Sequence, residues 1–260
     1  MHIVSTAPDV TEILCALGLE SSIVGISKHC DFPQSVRYKR IVSDYQEVTN
    51  VDALRAYRPD LAIGSTNLQK DVARTLVEHN VPTLVLAPTT LESVFHGIQL
   101  IGKVTDTRRE ASALVDKMRA GFDEIRSQAR KLARTPRAMV EEWGDPLIVG
   151  VGWIGELIEI AGGNNVFREL VRKPDTADRT VDPGEAARRN PEVVMAAWCG
   201  MRGEVDLGKI TARPGWEKVP AVRNQQVHAV DDAYFTRPGP RLVEGARMLQ
   251  ELFTDAAASA

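Results

Sequence analysis

The sequence has few cysteines and no long hydrophobic run, and each of these absences excludes a class of protein. Its 260 residues include only 3 cysteines. Cys15, Cys30 and Cys199 show neither a CxxC spacing nor a paired framework, which argues against a disulfide scaffold. No run of eighteen apolar residues is present, so the chain is not expected to span a membrane. The formal net charge is −3 and no long basic block occurs, so nucleic acid is not an expected partner.

Catalytic motifs are lacking as well. The sequence contains no GxSxG, GxxxxGK[ST] or HExxH pattern. The stretch GVGWIG, beginning at Gly150, superficially resembles a dinucleotide-binding fingerprint, but such a fingerprint should close the first strand–helix turn of the fold. Here it lies in the second half of the chain and leads into a helix that ends in AGG. We therefore expect that the protein is not an enzyme and requires no cofactor.

The sequence of residues 105–134 predicts one long helix, which divides the chain into two parts. It contains no proline, and its apolar residues recur at steps of three and four. These residues are Leu114, Met118, Phe122, Ile125, Ala129 and Leu132. At 1.5 Å per residue such a helix would be about 40 Å long. Short apolar runs alternate with helical patterns on both sides of it, which predicts an α/β protein. The expected parts are an N-terminal lobe (1–104), a connecting helix (105–134) and a C-terminal lobe (135–260).

Two loops contain candidate binding residues. The loop KHCDFP places His29 beside Cys30, so a soft metal ion bound by these two residues and Cys199 is one alternative. The other alternative is a free cysteine that packs as a small hydrophobe. Residues 231–241 place two adjacent aromatics between acids and arginines, which suits an amphipathic ligand with a flat face. A capping turn with a packed phenylalanine is the alternative for this second loop.

Five motifs, taken in order, carry a resemblance to a known family. They are STAPDVTEILCALGL, VGISKHCDFP, VDALRAYRPDLAIGS, GWIGELIEIAGGNNVF and PGWEKVPAVRNQQVHAVDDAYFTRPGPRL. Together they resemble the class III substrate-binding proteins of ABC importers, which carry cobalamin, ferric siderophores or haem. The resemblance covers nearly the whole chain and is closest to the cobalamin-binding branch. It implies two Rossmann-like lobes joined by one long helix, with the ligand held in the cleft between them.

The resemblance also implies which residues bind the ligand, a corrinoid. His29 stands where cobalamin binders often carry an aromatic residue, and its imidazole is a candidate axial ligand to cobalt. The other implied ligand-binding residues are Tyr45, Trp143, Trp153, Asp232, Tyr234, Phe235, Arg237 and Arg241. Ser65 occupies a place where a tryptophan would close one wall of the pocket.

A membrane permease is the implied partner, docked through one acidic residue on each lobe. Asp52 matches the first docking position, and Glu185 lies about one residue from the second. No signal peptide precedes the first strand, so a cytoplasmic location and intracellular corrinoid handling are expected if Met1 is the native start. A periplasmic or cell-surface location is expected if a leader has been removed. We further expect a monomer.

Three alternatives stay open on the sequence alone. A ferric-siderophore or haem binder would share the fold, but a siderophore site usually needs several arginines facing an anionic chelate. The arginines available are Arg237 and Arg241, with Arg179 and Arg202 if these face the ligand. A metal-binding enzyme or metal chaperone would use His29, Cys30 and Cys199, with both thiols within reach of one ion, about 2.3 Å from sulfur to zinc. The third alternative is a fold that has lost its ligand.

Overall fold

The structure of the chain, a computed structural model, describes residues 1–173 and 175–258, apart from the side chain of residue 67. It has two α/β units. The first comprises Met1–Pro88 and Glu92–Lys117, and the second comprises Thr89–Leu91 and Met118–Ala260. Residues 259 and 260, the end of the expected C-terminal lobe, lie outside the described residues.

Five short strands form a parallel sheet in the first unit. They are β1 (Ile3–Ser5), β2 (Ile23–Ser27), β3 (Ile41–Ser43), β4 (Leu61–Ser65) and β5 (Thr83–Leu86). Their spatial order is β3-β2-β1-β4-β5, and every neighbouring pair is parallel. The order reverses between β1 and β4. Doubly wound sheets bind their ligands beyond the carboxyl ends of the strands at such a reversal.

Four helices accompany this sheet. They are α1 (Pro8–Ala16), α2 (Val51–Tyr57), α3 (Lys70–Glu78) and α4 (Leu91–Val104). Helix α1 begins at Pro8, a residue well suited to the first helical position. It ends at Ala16, two residues before Gly18, whose φ of 78° lies in the left-handed region. Val4, Leu54 and Leu76 are among the residues that form the core beside the sheet.

The long helix α5 (Arg108–Ala129) has 22 residues, so it is shorter than the predicted span of 105–134. Its length is about 33 Å rather than 40 Å. Asp106, with a φ of 60°, breaks the helical conformation between α4 and α5. At the other end, the backbone beyond Ala129 forms tighter turns. The buried stripe also differs slightly, because Val115 is buried where Leu114 was expected. The chain passes from the first unit to the second within α5.

The second unit contains a sheet centred on its longest strand. The strands are β6 (Arg137–Gly144), β7 (Leu147–Val149), β8 (Asn164–Asn165), β9 (Val193–Ala196) and β10 (Val227–Ala229). Their order is β10-β9-β6-β7, with β8 also paired to β6. All pairs are parallel except β6 with β7. Two mainly parallel sheets and the long helix α5 agree with the α/β class that the sequence predicts.

Five helices complete the second unit. They are α6 (Gly152–Ile160), α7 (Pro183–Arg188), α8 (Gly208–Thr211), α9 (Pro220–Arg223) and α10 (Leu242–Ala258). The core of this unit includes Phe167, Trp198 and Trp216, which are all buried. Among the described residues, no helix combines the length and the apolar character needed to cross a membrane.

Candidate functional site

The carboxyl edge of the first sheet brings together His29, Asp44, Tyr45 and Thr66. These residues follow β2, β3 and β4, and the ends of parallel strands meet at one edge. The Nε2 of His29 lies 2.8 Å from Oδ1 of Asp44, and the hydroxyl of Tyr45 lies 3.1 Å from Oγ1 of Thr66. The rings of His29 and Tyr45 meet edge to face, with centroids 6.4 Å apart. This edge therefore presents an imidazole and a phenol ring side by side.

Asp44 is the charged centre of this edge. Lys28 pairs with its Oδ2, and the backbone N–H of Tyr45 donates to Oδ1 over 2.6 Å. The Lys28 ammonium, followed by the Tyr45 N–H and the His29 ring, lowers the pKa of Asp44 to about 2 against the opposing effect of burial. Asp44 is therefore ionised at neutral pH and accepts all three hydrogen bonds. Half of the His29 side chain (47%) stays exposed.

Beneath the edge, buried Gln69 ties three loops together. Its amide Nε2 donates to the carbonyls of Thr6 (2.7 Å) and Tyr45 (2.9 Å), and its Oε1 accepts from the backbone N–H of Ser65 (2.8 Å). Ser65 itself is fully buried. A Cβ at Gly64 would lie 2.7 Å from Oε1 of Gln69, so only glycine leaves room for this amide. Gln69 therefore fixes the backbone on which Tyr45 is presented.

At the carboxyl end of β6, the second unit presents a tryptophan. The ring of Trp143 is 39% exposed, packs against buried Trp198 at a centroid distance of 6.1 Å, and donates its Nε1–H to the carbonyl of Asp145. A Cβ at Gly144 would come within 2.0 Å of the Trp198 ring. The missing side chain at Gly144 therefore lets Trp198 support the exposed ring. Because its ring is exposed, the role of Trp143 as an aromatic wall stays a prediction.

The loop after β10 contains both exposed and buried candidates. Tyr234 is half-buried, and the guanidinium carbon of Arg241 lies 5.0 Å from its ring centroid. Arg237 is half-buried too. Phe235 is fully buried, and its carbonyl accepts from the Nε1–H of Trp153, which is itself only 4% exposed. The rings of Phe235 and Trp153 therefore pack in the core and offer no face to a ligand, which corrects their predicted role as ligand-binding residues.

Asp232 also has an internal role in the structure. It is buried, and its carboxylate accepts from the backbone N–H groups of Gly200 (3.0 Å) and Arg202 (2.9 Å). It therefore joins the loop after β10 to the loop after β9. Because these hydrogen bonds occupy its carboxylate, Asp232 stabilises the conformation of the two loops. The sequence had predicted instead that Asp232 contacts the ligand directly.

Two buried ion pairs lie at the end of β6. Arg213 forms a bidentate pair with Glu141, at 2.6 and 3.0 Å. Arg179 donates to Glu142 over 2.8 Å and also to the carbonyl of Val149. Burial raises the pKa of both glutamates, while the arginines oppose that rise. Arg179 is only 3% exposed, so it does not face an anionic ligand, which the sequence had left open.

Among the described residues, Cys30 and Cys199 are not part of a cluster of metal-binding side chains. Cys30 is buried and lies 3.1 Å from the hydroxyl of Thr11, as a packed residue would. Cys199 as a whole is exposed, but its thiol group is desolvated. This desolvation, followed by the charges of Glu142 and Asp232, raises the pKa of the thiol to about 12. Within residues 1–173 and 175–258, no group of three or more His, Cys, Asp or Glu side chains is placed to hold a metal ion. The metal alternative therefore gains no support.

The two predicted docking acids have different surroundings. Asp52 is exposed in the first turn of α2, and it has no ion pair within the described part of the chain. Glu185, in α7, pairs with Arg188 at 2.7 Å and with Arg189 at 2.9 Å. Arg189, then Arg188, holds the pKa of Glu185 below its ordinary value. A docking arginine would therefore compete with two internal partners at Glu185 and with none at Asp52.

Sequence reasoning missed several residues that shape these edges. They are Asp44, Thr66, Gln69, Glu142 and Trp198 as a supporting ring. An acid directly before Tyr45, at the end of an apolar run, was a usable signal for Asp44. Nothing in the sequence distinguishes Gln69 from a glutamine on a helix surface, because its partners come from distant loops.

Comparison with known proteins gives consistent matches over nearly the whole chain. The family model described as periplasmic binding protein matches residues 3–234. An uncharacterized ABC transporter substrate-binding lipoprotein of Bacillus subtilis, YvrC, is 25% identical over 258 residues, covering 96% of this chain and 78% of the relative. A vitamin B12-binding protein of Vibrio parahaemolyticus is 24% identical over 245 residues, covering 92% of this chain and 84% of the relative.

A solved structure shares the fold. The periplasmic heme-binding protein RhuT from Roseiflexus superposes with a TM-score of 0.81 at 23% identity, covering 98% of each chain. This confirms the fold of the class III periplasmic binding proteins that the sequence resemblance implied. Proteins of this family bind substrates for transporters and are not enzymes. The chain therefore belongs to the periplasmic binding protein family, among the class III substrate-binding proteins of ABC transporters.

Proposed function

We propose that this substrate-binding protein carries cobalamin or a related corrinoid for an ABC importer. The main support is the exposed imidazole of His29, held against Asp44 and flanked by the ring of Tyr45. A corrin is a flat macrocycle with a metal at its centre, so it suits an aromatic ring beside a nitrogen ligand. Exposed Trp143 and half-buried Tyr234, at the edge of the second sheet, would supply further apolar contacts. The vitamin B12-binding relatives support the same ligand class.

The ligand's amide groups need hydrogen-bonding partners, and the half-buried Arg237 and Arg241 are our candidates. Arg241 stacks over Tyr234, so one pair of side chains would offer an apolar face and a donor together.

Haem is the second candidate, because an imidazole also ligates iron and a heme-binding protein shares the fold. A ferric siderophore is less favoured. Of the arginines that the sequence offered for such an anionic chelate, Arg179 is buried and paired with Glu142, so its charge is already neutralised within the second unit.

The proposed partner is a membrane permease, with Asp52 and Glu185 as docking acids. We also propose a periplasmic or cell-surface location. The relatives are a lipoprotein and periplasmic binding proteins, so they support this alternative and give no support to the cytoplasmic one. Because Asp52 has no competing ion pair among the described residues, we expect it to contribute more to docking than Glu185.

The function is tested by absorption titration of the purified, ligand-free protein. Aquocobalamin, cobinamide and haemin are added separately, and calorimetry of the same pairs gives the affinities. We expect saturable binding of a corrinoid with a shifted spectrum, and we expect the shift to be lost in His29→Ala. His96→Ala is the matched control, because His96 is an exposed histidine on α4 of the same unit.

The outcomes separate the candidates. Saturation by haemin without binding of either corrinoid would replace the proposed ligand by haem. Corrinoid binding with an unchanged spectrum would keep the function but remove His29 as an axial ligand. Binding of none of the three compounds would refute both proposals for a metal macrocycle.

A further inference from the structure

The hydrogen bond between His29 and Asp44 determines which nitrogen of the imidazole is available. A carboxylate can only accept, so the Nε2 of His29, 2.8 Å from Oδ1 of Asp44, must carry the proton. In the neutral ring the lone pair then lies on Nδ1. Within the described residues, no hydrogen bond involves Nδ1, and nearly half of the side chain is exposed. The ring is therefore anchored through Nε2, and Nδ1 keeps its lone pair for another partner.

Asp44 is itself held in one orientation. Its Oδ1 accepts from the backbone N–H of Tyr45 at 2.6 Å as well as from His29, and its Oδ2 is paired with Lys28. The Tyr45 backbone is fixed in turn by Gln69, whose Nε2 donates to the Tyr45 carbonyl over 2.9 Å. The orientation of the imidazole is thus set by a chain of contacts that ends in the buried core, rather than by the loop alone.

We propose that Asp44 is a positioning residue that fixes the Nε2–H tautomer of His29 and directs Nδ1 toward the metal of the bound macrocycle. This inference rests on the proposed function for the metal, but the tautomer itself belongs to the ligand-free protein. Metal-binding histidines usually donate their second N–H to a carboxylate or carbonyl, which orients the ring and makes the ligating nitrogen more basic. Loss of such a carboxylate lowers metal affinity by about 10- to 100-fold.

Asp44→Asn is the decisive variant because it preserves the shape of the side chain. An asparagine amide can donate to Nε2 as well as accept from it, so it permits the opposite tautomer. An exchange of this kind disables a histidine through the wrong tautomer in serine proteases. Asp71→Asn is the matched control, since Asp71 lies on α3 of the same unit and pairs with exposed Arg74. Lys28→Gln removes the ion pair and leaves the His29 contact in place.

The first measurement needs no ligand. Long-range 1H–15N correlation spectra of the neutral imidazole report which ring nitrogen is protonated. We expect the Nε2–H form of His29 in the wild type, in Asp71→Asn and in Lys28→Gln, and a mixture of tautomers in Asp44→Asn. An Nδ1–H form in the wild type, or an unchanged tautomer in Asp44→Asn, would overturn the inference whatever ligand the protein binds.

The second measurement uses the macrocycle that the wild type binds, aquocobalamin or haemin. Asp44→Asn should weaken its binding by about 10- to 100-fold and move the absorption bands toward those of His29→Ala. Added free imidazole should restore the wild-type bands in His29→Ala. If Asp44→Asn keeps both the wild-type affinity and the wild-type bands, the inference is wrong although the proposed function stands. If the wild type binds neither compound, the proposed function fails, and the inference that Asp44 positions a metal ligand fails with it.

Discussion

Replacing Arg179 with methionine should destabilise the second unit more than any change of exposed charge. Arg179 is 3% exposed and Glu142 is 8% exposed, and the ion pair joins β6 to the segment that precedes α7. Methionine fills a similar volume but leaves the Glu142 carboxylate buried with one remaining partner, the backbone N–H of Val151 at 2.7 Å. Removing one member of a buried pair costs about 3–5 kcal/mol.

The penalty should also depend on pH in a defined direction. Burial already raises the pKa of Glu142, and loss of Arg179 removes the charge that opposes this rise. In the variant, the folded state then holds a proton that the unfolded state releases near the ordinary pKa of 4.5. Because the folded state binds more protons, the free energy of unfolding falls as pH rises, by at most about 1.4 kcal/mol per pH unit. The deficit relative to the wild type should therefore be larger at pH 8 than at pH 5.

Urea unfolding followed by tryptophan fluorescence is suited to this measurement. All 4 tryptophans of the chain, Trp143, Trp153, Trp198 and Trp216, belong to the second unit, so fluorescence reports the unit that contains the pair. Arg126→Met is the matched control, because Arg126 pairs at the surface with Asp123 and its loss should cost less than about 1 kcal/mol. Glu142→Gln with Arg179→Met should recover most of the loss, since glutamine still accepts from Val151. A cost below about 1 kcal/mol for Arg179→Met, or a double variant no more stable than the single one, would refute the reasoning.

Two further changes test the supports beneath the edges. Gln69→Leu removes the amide that donates to the carbonyls of Thr6 and Tyr45, so it should cost about 2–4 kcal/mol in thermal or urea unfolding and weaken ligand binding through Tyr45. Wild-type ligand affinity in a folded Gln69→Leu protein would contradict the role given to Gln69. Gly144→Ala would bring a methyl group within 2.0 Å of the Trp198 ring and should destabilise the second unit by about 1–3 kcal/mol, read by fluorescence. An alanine variant as stable as the wild type would show that Trp198 can move without loss.

Periodicity in the sequence predicted the strands and helices better than it predicted their ends. The step of three and four residues located α5, but the helix stops at Ala129 although its apolar pattern continues to Leu132. The short strand β3 was not predicted, because Ile41–Ser43 offers only three residues and no alternation to recognise. Local patterns report which face of an element is apolar, and they contain little information about where tertiary packing ends it.

The candidate site was less predictable because its supports come from distant parts of the chain. Glu141 and Glu142 are adjacent in a strand, so their side chains point to opposite faces, yet both are buried. Their arginine partners lie 72 and 37 residues further along. No local signal connects such pairs. Likewise, Tyr234 and Phe235 were both predicted to bind the ligand, whereas the structure leaves Tyr234 half-buried and places Phe235 in the core.

The division between buried supports and exposed groups implies where ligand specificity can change. Gln69 and the Glu142–Arg179 pair find their partners within the protein, so substituting them changes stability together with affinity. His29 and Trp143 stand on this framework with much of their surface exposed. Exposed substitutions usually alter stability by less than about 0.5 kcal/mol. Under the proposed function, proteins that bind different macrocycles can therefore differ at positions such as His29 and Trp143 while keeping the framework. We expect His29→Tyr to change the preferred ligand without changing the unfolding transition. A loss of stability in His29→Tyr as large as that in Gln69→Leu would show that the exposed groups cannot be substituted independently of the buried supports.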